Sequence, residues 1–215
     1  MIDHDNVLRA LALAVVLVSA PARADVQLWT EVGVERDVTP RVTLAFDQHL
    51  RFDDDVSRVS AVMPEVSAEL RIVRWLRAET GYRFEYERDG DGNLVVRHRG
   101  DVAVRAVLRR GRLRGELEQR YEEELRPTSH HHVHQHVLRE RVGIGWQAGH
   151  WLPEASLTVF EVLGRDGPLD KLWLTAGVTR RRHGHETEAF YRLAQPYDRL
   201  VPPAHIFGIA FHTEL

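Results

Sequence analysis

The segment RVTLAFDQHLRF, residues 41–52, alternates by type along its whole length. Val42, Leu44, Phe46, Gln48, Leu50 and Phe52 hold the even positions, and Arg41, Thr43, Ala45, Asp47, His49 and Arg51 the odd ones. Strand side chains point alternately to opposite faces, so a period of two over twelve residues makes one face apolar and the other polar. The same pattern returns in Leu76-Ala78-Thr80-Tyr82-Phe84-Tyr86 against Arg77-Glu79-Gly81-Arg83-Glu85-Glu87. It returns again in Val102-Val104-Ala106-Leu108 and in residues 26–35, 169–180 and 205–215.

Turn signals separate these runs: Asp37-Val38-Thr39-Pro40, Asp53-Asp54-Asp55, Asp89-Gly90-Asp91-Gly92-Asn93, Arg110-Gly111-Arg112, Gly164-Arg165-Asp166-Gly167-Pro168 and His183-Gly184-His185. They divide the chain into about eleven strands, near residues 25–36, 40–52, 57–72, 75–88, 94–109, 112–124, 133–147, 154–163, 169–182, 186–195 and 204–215. One segment is ambiguous. In GRLRGELEQRYEEELR, Leu113, Leu117, Tyr121 and Leu125 recur every four residues, which suits a helix face, yet Leu113-Gly115-Leu117-Gln119-Tyr121 suits a strand. The Gly111 turn just before it favours a hairpin partner. Most of these strands reach the ~9–11 residues that cross a bilayer with tilt. Bacterial single-chain barrels have an even number of strands, so a count of eleven implies one missed or one split in two, and bounds the barrel at 10–12.

Residues 1–24 have the form of a signal peptide: Arg9 in a polar lead, an apolar run from Ala10 to Val18, and Ala22-Arg23-Ala24 as a small-x-small cleavage site. Residues 25–215 then form a single domain. Loss of residues 1–24 removes two acidic and two basic side chains, so the charge stays at −3, which gives nucleic acid no basic footprint. With no cysteine there is no disulfide, thiol nucleophile or thiolate metal site. A mean hydropathy of −0.35, with no apolar run of spanning length after residue 24, excludes a helical membrane protein but not a barrel, whose strands hide their hydrophobicity by alternation.

The connections alternate in length, short near residues 37–40, 73–74, 110–111, 148–152 and 183–185, longer near 53–56, 89–93, 125–132, 164–168 and 196–203. Short turns on one rim and long loops on the other predict an all-β, antiparallel, up-and-down transmembrane β-barrel in the bacterial outer membrane, with long loops outside and the C-terminus in the periplasm. Trp75, Trp146 and Trp151 beside short turns, and Phe52, Tyr86 and Tyr197 beside long ones, suit two interfacial girdles. The last strand puts Phe207, Ile209, Phe211, Thr213 and Leu215 on one face. In such a barrel the charged face lines the lumen, because Arg on the lipid face costs ~2–4 kcal/mol at midplane. That face comprises Arg77, Glu79, Arg83, Glu85, Arg97, Arg99, Asp101, Arg105, Arg114, Glu116, Glu118, Arg120, Glu122, Arg139 and Arg141. Both signs occur on neighbouring strands, so cross-strand ion pairs are expected.

Several local motifs also match a family. Leu28-Trp29-Thr30-Glu31, Gly81-Tyr82-Arg83-Phe84, His98-Arg99, the Arg114/Glu116/Glu118/Arg120 strand, Arg139-x-Arg141 and Gly177-Val178 together resemble the uncharacterised bacterial outer-membrane barrels grouped as domain-of-unknown-function family 2490. The resemblance covers nearly all of the chain after residue 24 but gives residues 128–136 no place. It implies an outer-membrane barrel and no activity, catalytic residue or ligand.

The residues therefore predict a barrel that is structural, or a narrow passive pore for small polar solutes, with outer-membrane lipids as its partners and no cofactor. Two rival classes remain: an outer-membrane lipid-modifying hydrolase, and a secreted soluble β-barrel that binds a ligand. The hydrolase reading is weak, with five serines after residue 24 and no G-x-S-x-G. Ser129 stands beside His130, but neighbours on a strand face opposite ways. The Asp89–Asn93 run lacks the glycine and closing glutamate of a calcium loop and reads as a hairpin tip. The run HHHVHQH, residues 130–136, sets His130, His132, His134 and His136 at every second position. The run falls at the end of a long outer loop, where it reads first as a solvated segment; if the strand extends that far, the spacing offers two or three imidazoles to zinc, copper or nickel.

Overall fold

The computed structural model describes residues 25–53, 56–88, 92–127, 132–164, 169–198 and 200–215. The leader assigned to residues 1–24, the tip at 89–91 and Ser129 with His130 lie outside the described residues. Eleven strands follow one another: β1 (Asp25–Thr39), β2 (Val42–Asp53), β3 (Arg58–Val73), β4 (Leu76–Arg88), β5 (Leu94–Arg110), β6 (Leu113–Pro127), β7 (His132–Trp146), β8 (Trp151–Val162), β9 (Leu169–Arg182), β10 (His185–Pro196) and β11 (Ala204–Glu214). Each pairs with its sequence neighbours, and β1 pairs with β11 to close the barrel. The ambiguous segment is β6, held along its length by β5 and β7. Its four-residue leucine spacing is a by-product of alternation, because Leu113, Leu117, Tyr121 and Leu125 all stand on one side of a strand.

The odd count is real, and geometry explains how it closes. Strands that alternate in direction leave the first and eleventh running the same way, so β1 and β11 pair in parallel, from Asp25 beside Ala204 to Glu35 beside Glu214. Every other pair is antiparallel. Among the described residues the parity problem is therefore met by one parallel seam, with no strand missed or split.

The short connections (Thr39 to Val42, Val73 to Leu76, Arg110 to Leu113, Trp146 to Trp151, Arg182 to His185) share one rim, and the longer ones share the other. His183 and Gly184 both have positive φ, 52° and 76°. This is the backbone of a two-residue type I′ turn, whose twist matches that of the flanking strands.

The polarity of the barrel is inverted relative to a water-soluble core. Val104, Leu117, Ile144, Leu174 and Ile209 point outward and are about half exposed. Glu65, Glu85, Asp101, Glu118, Arg120 and Glu122 are buried inside. Trp75, Trp146 and Trp151 stand exposed at the short-turn rim, and Tyr86 and Tyr197 at the opposite end. Below the long-loop rim three diagonal pairs repeat on the outer face. Tyr82 with His98, Tyr121 with His136 and Tyr191 with His205 bring Oη and Nδ1 to 2.7, 2.7 and 2.6 Å. In each, the tyrosine sits on a strand rising to a long loop and the histidine on the strand that descends from it.

Candidate functional site

The lumen gathers the chemistry of this chain. Its first wall, from β3 to β7, is a continuous network of ion pairs. Arg120 is a hub: it donates to Asp101 at 2.5 Å, to Glu79 at 2.8 Å and to Glu118 at 3.3 Å. Glu118 also accepts from Arg105 and Arg139, both at 2.9 Å. The chain continues from Arg139 through Glu122 to Arg99, from Arg99 through Glu85 to Arg83, and from Arg83 to Glu65. Towards the short-turn rim, Arg77 pairs with Glu69, and Arg114 and Arg141 share Glu116 and Glu154. Arg97 pairs with Glu87 at the long-loop end. The Asp101 side chain has no exposure and that of Glu118 only 3 %. Such burial of charge is tolerated only where each group is paired and hydrogen-bonded.

The second wall, from β8 through β11 to β1, is aromatic. Trp173 on β9 packs on Phe160 of β8, centroids 4.4 Å apart, and meets Trp29 of β1 edge-on at 5.7 Å. Its cations lie over rings. Arg51 sits 4.1 Å from the Trp29 centroid, Arg192 4.2 Å from that of Trp173, and Lys171 4.9 Å from that of Phe160. Arg51 Nε and Trp173 Nε1 have no hydrogen-bond partner among the described residues. Gly208 on β11 makes room for this packing: a Cβ there would come within 2.0 Å of the Phe190 ring.

Between the aromatic wall and the ion-pair wall, from β11 at the parallel seam across β1 and β2 to β3, carboxylates and imidazoles alternate. Glu65 Oε2 lies 3.5 Å from His49 Nε2, and His49 Nδ1 lies 2.9 Å from Glu31 Oε2. Glu31 Oε1 is 3.1 Å from His212 Nε2, and His212 Nδ1 is 3.4 Å from Asp47 Oδ1. In register, Gly33 of β1 lies between His212 of β11 and Asp47 of β2. A cavity of about 720 Å³ with a largely charged lining occupies the short-turn end of the lumen, and Asp47, Glu65 and His212 line it.

The described members of the histidine run lie elsewhere. His134 and His136 are on the outer face of β7, His134 Nδ1 3.1 Å from Glu123 Oε1 and His136 against Tyr121. His130 and the side chain of His132 lie outside the described residues. Sequence reasoning did not find the seam cluster, whose members come from four strands. The only local signal was Gly33, a side-chain-free position inside an otherwise regular strand.

A family model described as "Protein of unknown function (DUF2490)" matches residues 26–195. The chain belongs to this family. The match runs from the start of β1 to Gln195, one residue before the end of β10, so the seam of this DUF2490 barrel takes its eleventh strand from beyond the matched segment. No curated protein matches the chain.

Proposed function

We propose that this DUF2490 barrel is an integral outer-membrane protein, with its long loops outside, its C-terminus in the periplasm and a lumen closed to solutes by its own side chains. The inverted polarity carries the reading. An outer face of valine, leucine and isoleucine about half exposed around a charged interior is unfavourable in water and favourable in lipid. The exposed tryptophans at one rim and the Tyr–His pairs near the other suit the two interfaces, where amphipathic rings settle. Closure is supported by the burial of Asp101 and Glu118 at mid-lumen.

The cavity at the short-turn mouth favours a second reading, a narrow passive path for small polar solutes lined by fixed charges. Single-channel recording in planar bilayers separates the two. The closed reading expects no unitary conductance from folded protein and the appearance of channels when Arg120 and Glu118 are both replaced by alanine. Steady conductance from the unaltered chain would establish the pore.

A further inference from the structure

We propose that Glu31, Asp47 and His212 form a binding site for a divalent first-row transition metal at the parallel seam, entered from the short-turn mouth. Each of the three offers one donor atom, and these atoms lie within 4.8 Å of one another. One imidazole nitrogen with two carboxylate oxygens suits zinc and its neighbours, and leaves further positions for water.

The backbone is arranged for this convergence. His212, Gly33 and Asp47 stand side by side on β11, β1 and β2. A Cβ on Gly33 would fall 2.1 Å from Asp47 Oδ1 and 2.5 Å from His212 Nδ1. Any side chain at that position would fill the space in which the two flanking donors meet. Support behind the site is equally ordered: His49 holds Glu31, Glu65 faces the other nitrogen of His49, and Arg83 holds Glu65. Metal ligands are oriented by outer partners of this kind. Access exists as well, since Asp47 and His212 line the short-turn cavity and the side chains of Glu31 and His212 are each 30 % exposed.

The competing account of the same distances is a protonated His212 bridging two carboxylates. The two differ in their response to metal, which must displace that proton. A bound ion would tie β11, β1 and β2 together and so staple the closure of the barrel. The proposal depends on the barrel and its seam, and is independent of the membrane reading.

The test is zinc titration by calorimetry into the folded full chain and into a variant with His130, His131, His132, His134 and His136 all changed to alanine. One saturable site is expected to survive in that variant, with zinc raising its unfolding temperature. In the same background His49→Gln should weaken binding about 10–100-fold, and Asp47→Asn or His212→Asn at least as much, with the thermal shift lost. Asp47→Asn keeps size and hydrogen bonding, so its folding can be checked by strand circular dichroism alongside His49→Gln. Loss of all zinc binding with the histidine run, or unchanged binding in Asp47→Asn and His212→Asn, would overturn the proposal.

Discussion

From Glu65 on β3 to Arg141 on β7 the lumen is filled by opposite charges that reach across strands, whereas from Phe160 on β8 to Trp29 on β1 it is filled by rings with cations laid over them. Both walls belong to one closed barrel. They differ in what a single lost side chain leaves behind. On the first wall a missing partner strands a buried charge. On the second it leaves a gap and a cation that still has a flank to lie on. The first wall should therefore be sensitive to chemistry and the second to shape.

The largest effect is expected at Arg120. Replacement by methionine keeps the bulk but leaves Asp101, Glu79 and Glu118 short of a partner, which should cost about 3–5 kcal/mol in denaturant unfolding of the detergent-folded barrel. A second change, Asp101→Asn, should recover part of it. If Arg120→Met is neutral, the ion-pair wall is not the stiff side. On the aromatic wall, Gly208→Ala pushes a methyl into the Phe190 ring and should cost about 1–3 kcal/mol. Phe190→Leu should relieve it, since the conflict is one of shape. Trp29→Leu removes the ring beneath Arg51 and Arg192 while keeping an apolar side chain, a loss of about 0.5–2 kcal/mol in cation–π attraction. The smallest effect belongs to the rim, where Arg181 and Glu186 form an exposed pair. Arg181→Ala should change stability by about 0–1 kcal/mol, and less in high salt.

The two walls were also unequally legible. Strict alternation in β4, β5 and β6 shows which of their side chains share the inner face, because charge marks one side and valine, leucine or tyrosine the other. On β8 to β11 the inner positions mix Ser156, Thr158, Thr175, Gly177, Gly208 and Ala210 with the rings of Phe160 and Trp173 and only scattered charges such as Lys171 and Arg192, so charge does not mark a continuous face. Trp29 and Trp173 look like any interfacial aromatic until their register is known. Closure was illegible for a different reason. That β1 lies parallel to β11 is a relation between the two ends of the barrel, and no local period records it. The seam cluster inherits that blindness, since Glu31, Asp47, His49, Glu65 and His212 span more than 180 positions of sequence. The histidine run drew attention by its local composition and spacing, while the His212 cluster depends on folding.

The orientation of the two faces underlies the whole account, and the absence of cysteine makes it directly measurable. Single cysteines introduced as Val104→Cys and Ile144→Cys on the outer face, with Leu200→Cys on the exposed long connection between β10 and β11, can be challenged in isolated membranes by a water-soluble maleimide. The expected result is rapid labelling at position 200 and protection at positions 104 and 144 until detergent is added. Equal labelling at all three before detergent would mean that water covers the apolar band, and would contradict the membrane barrel.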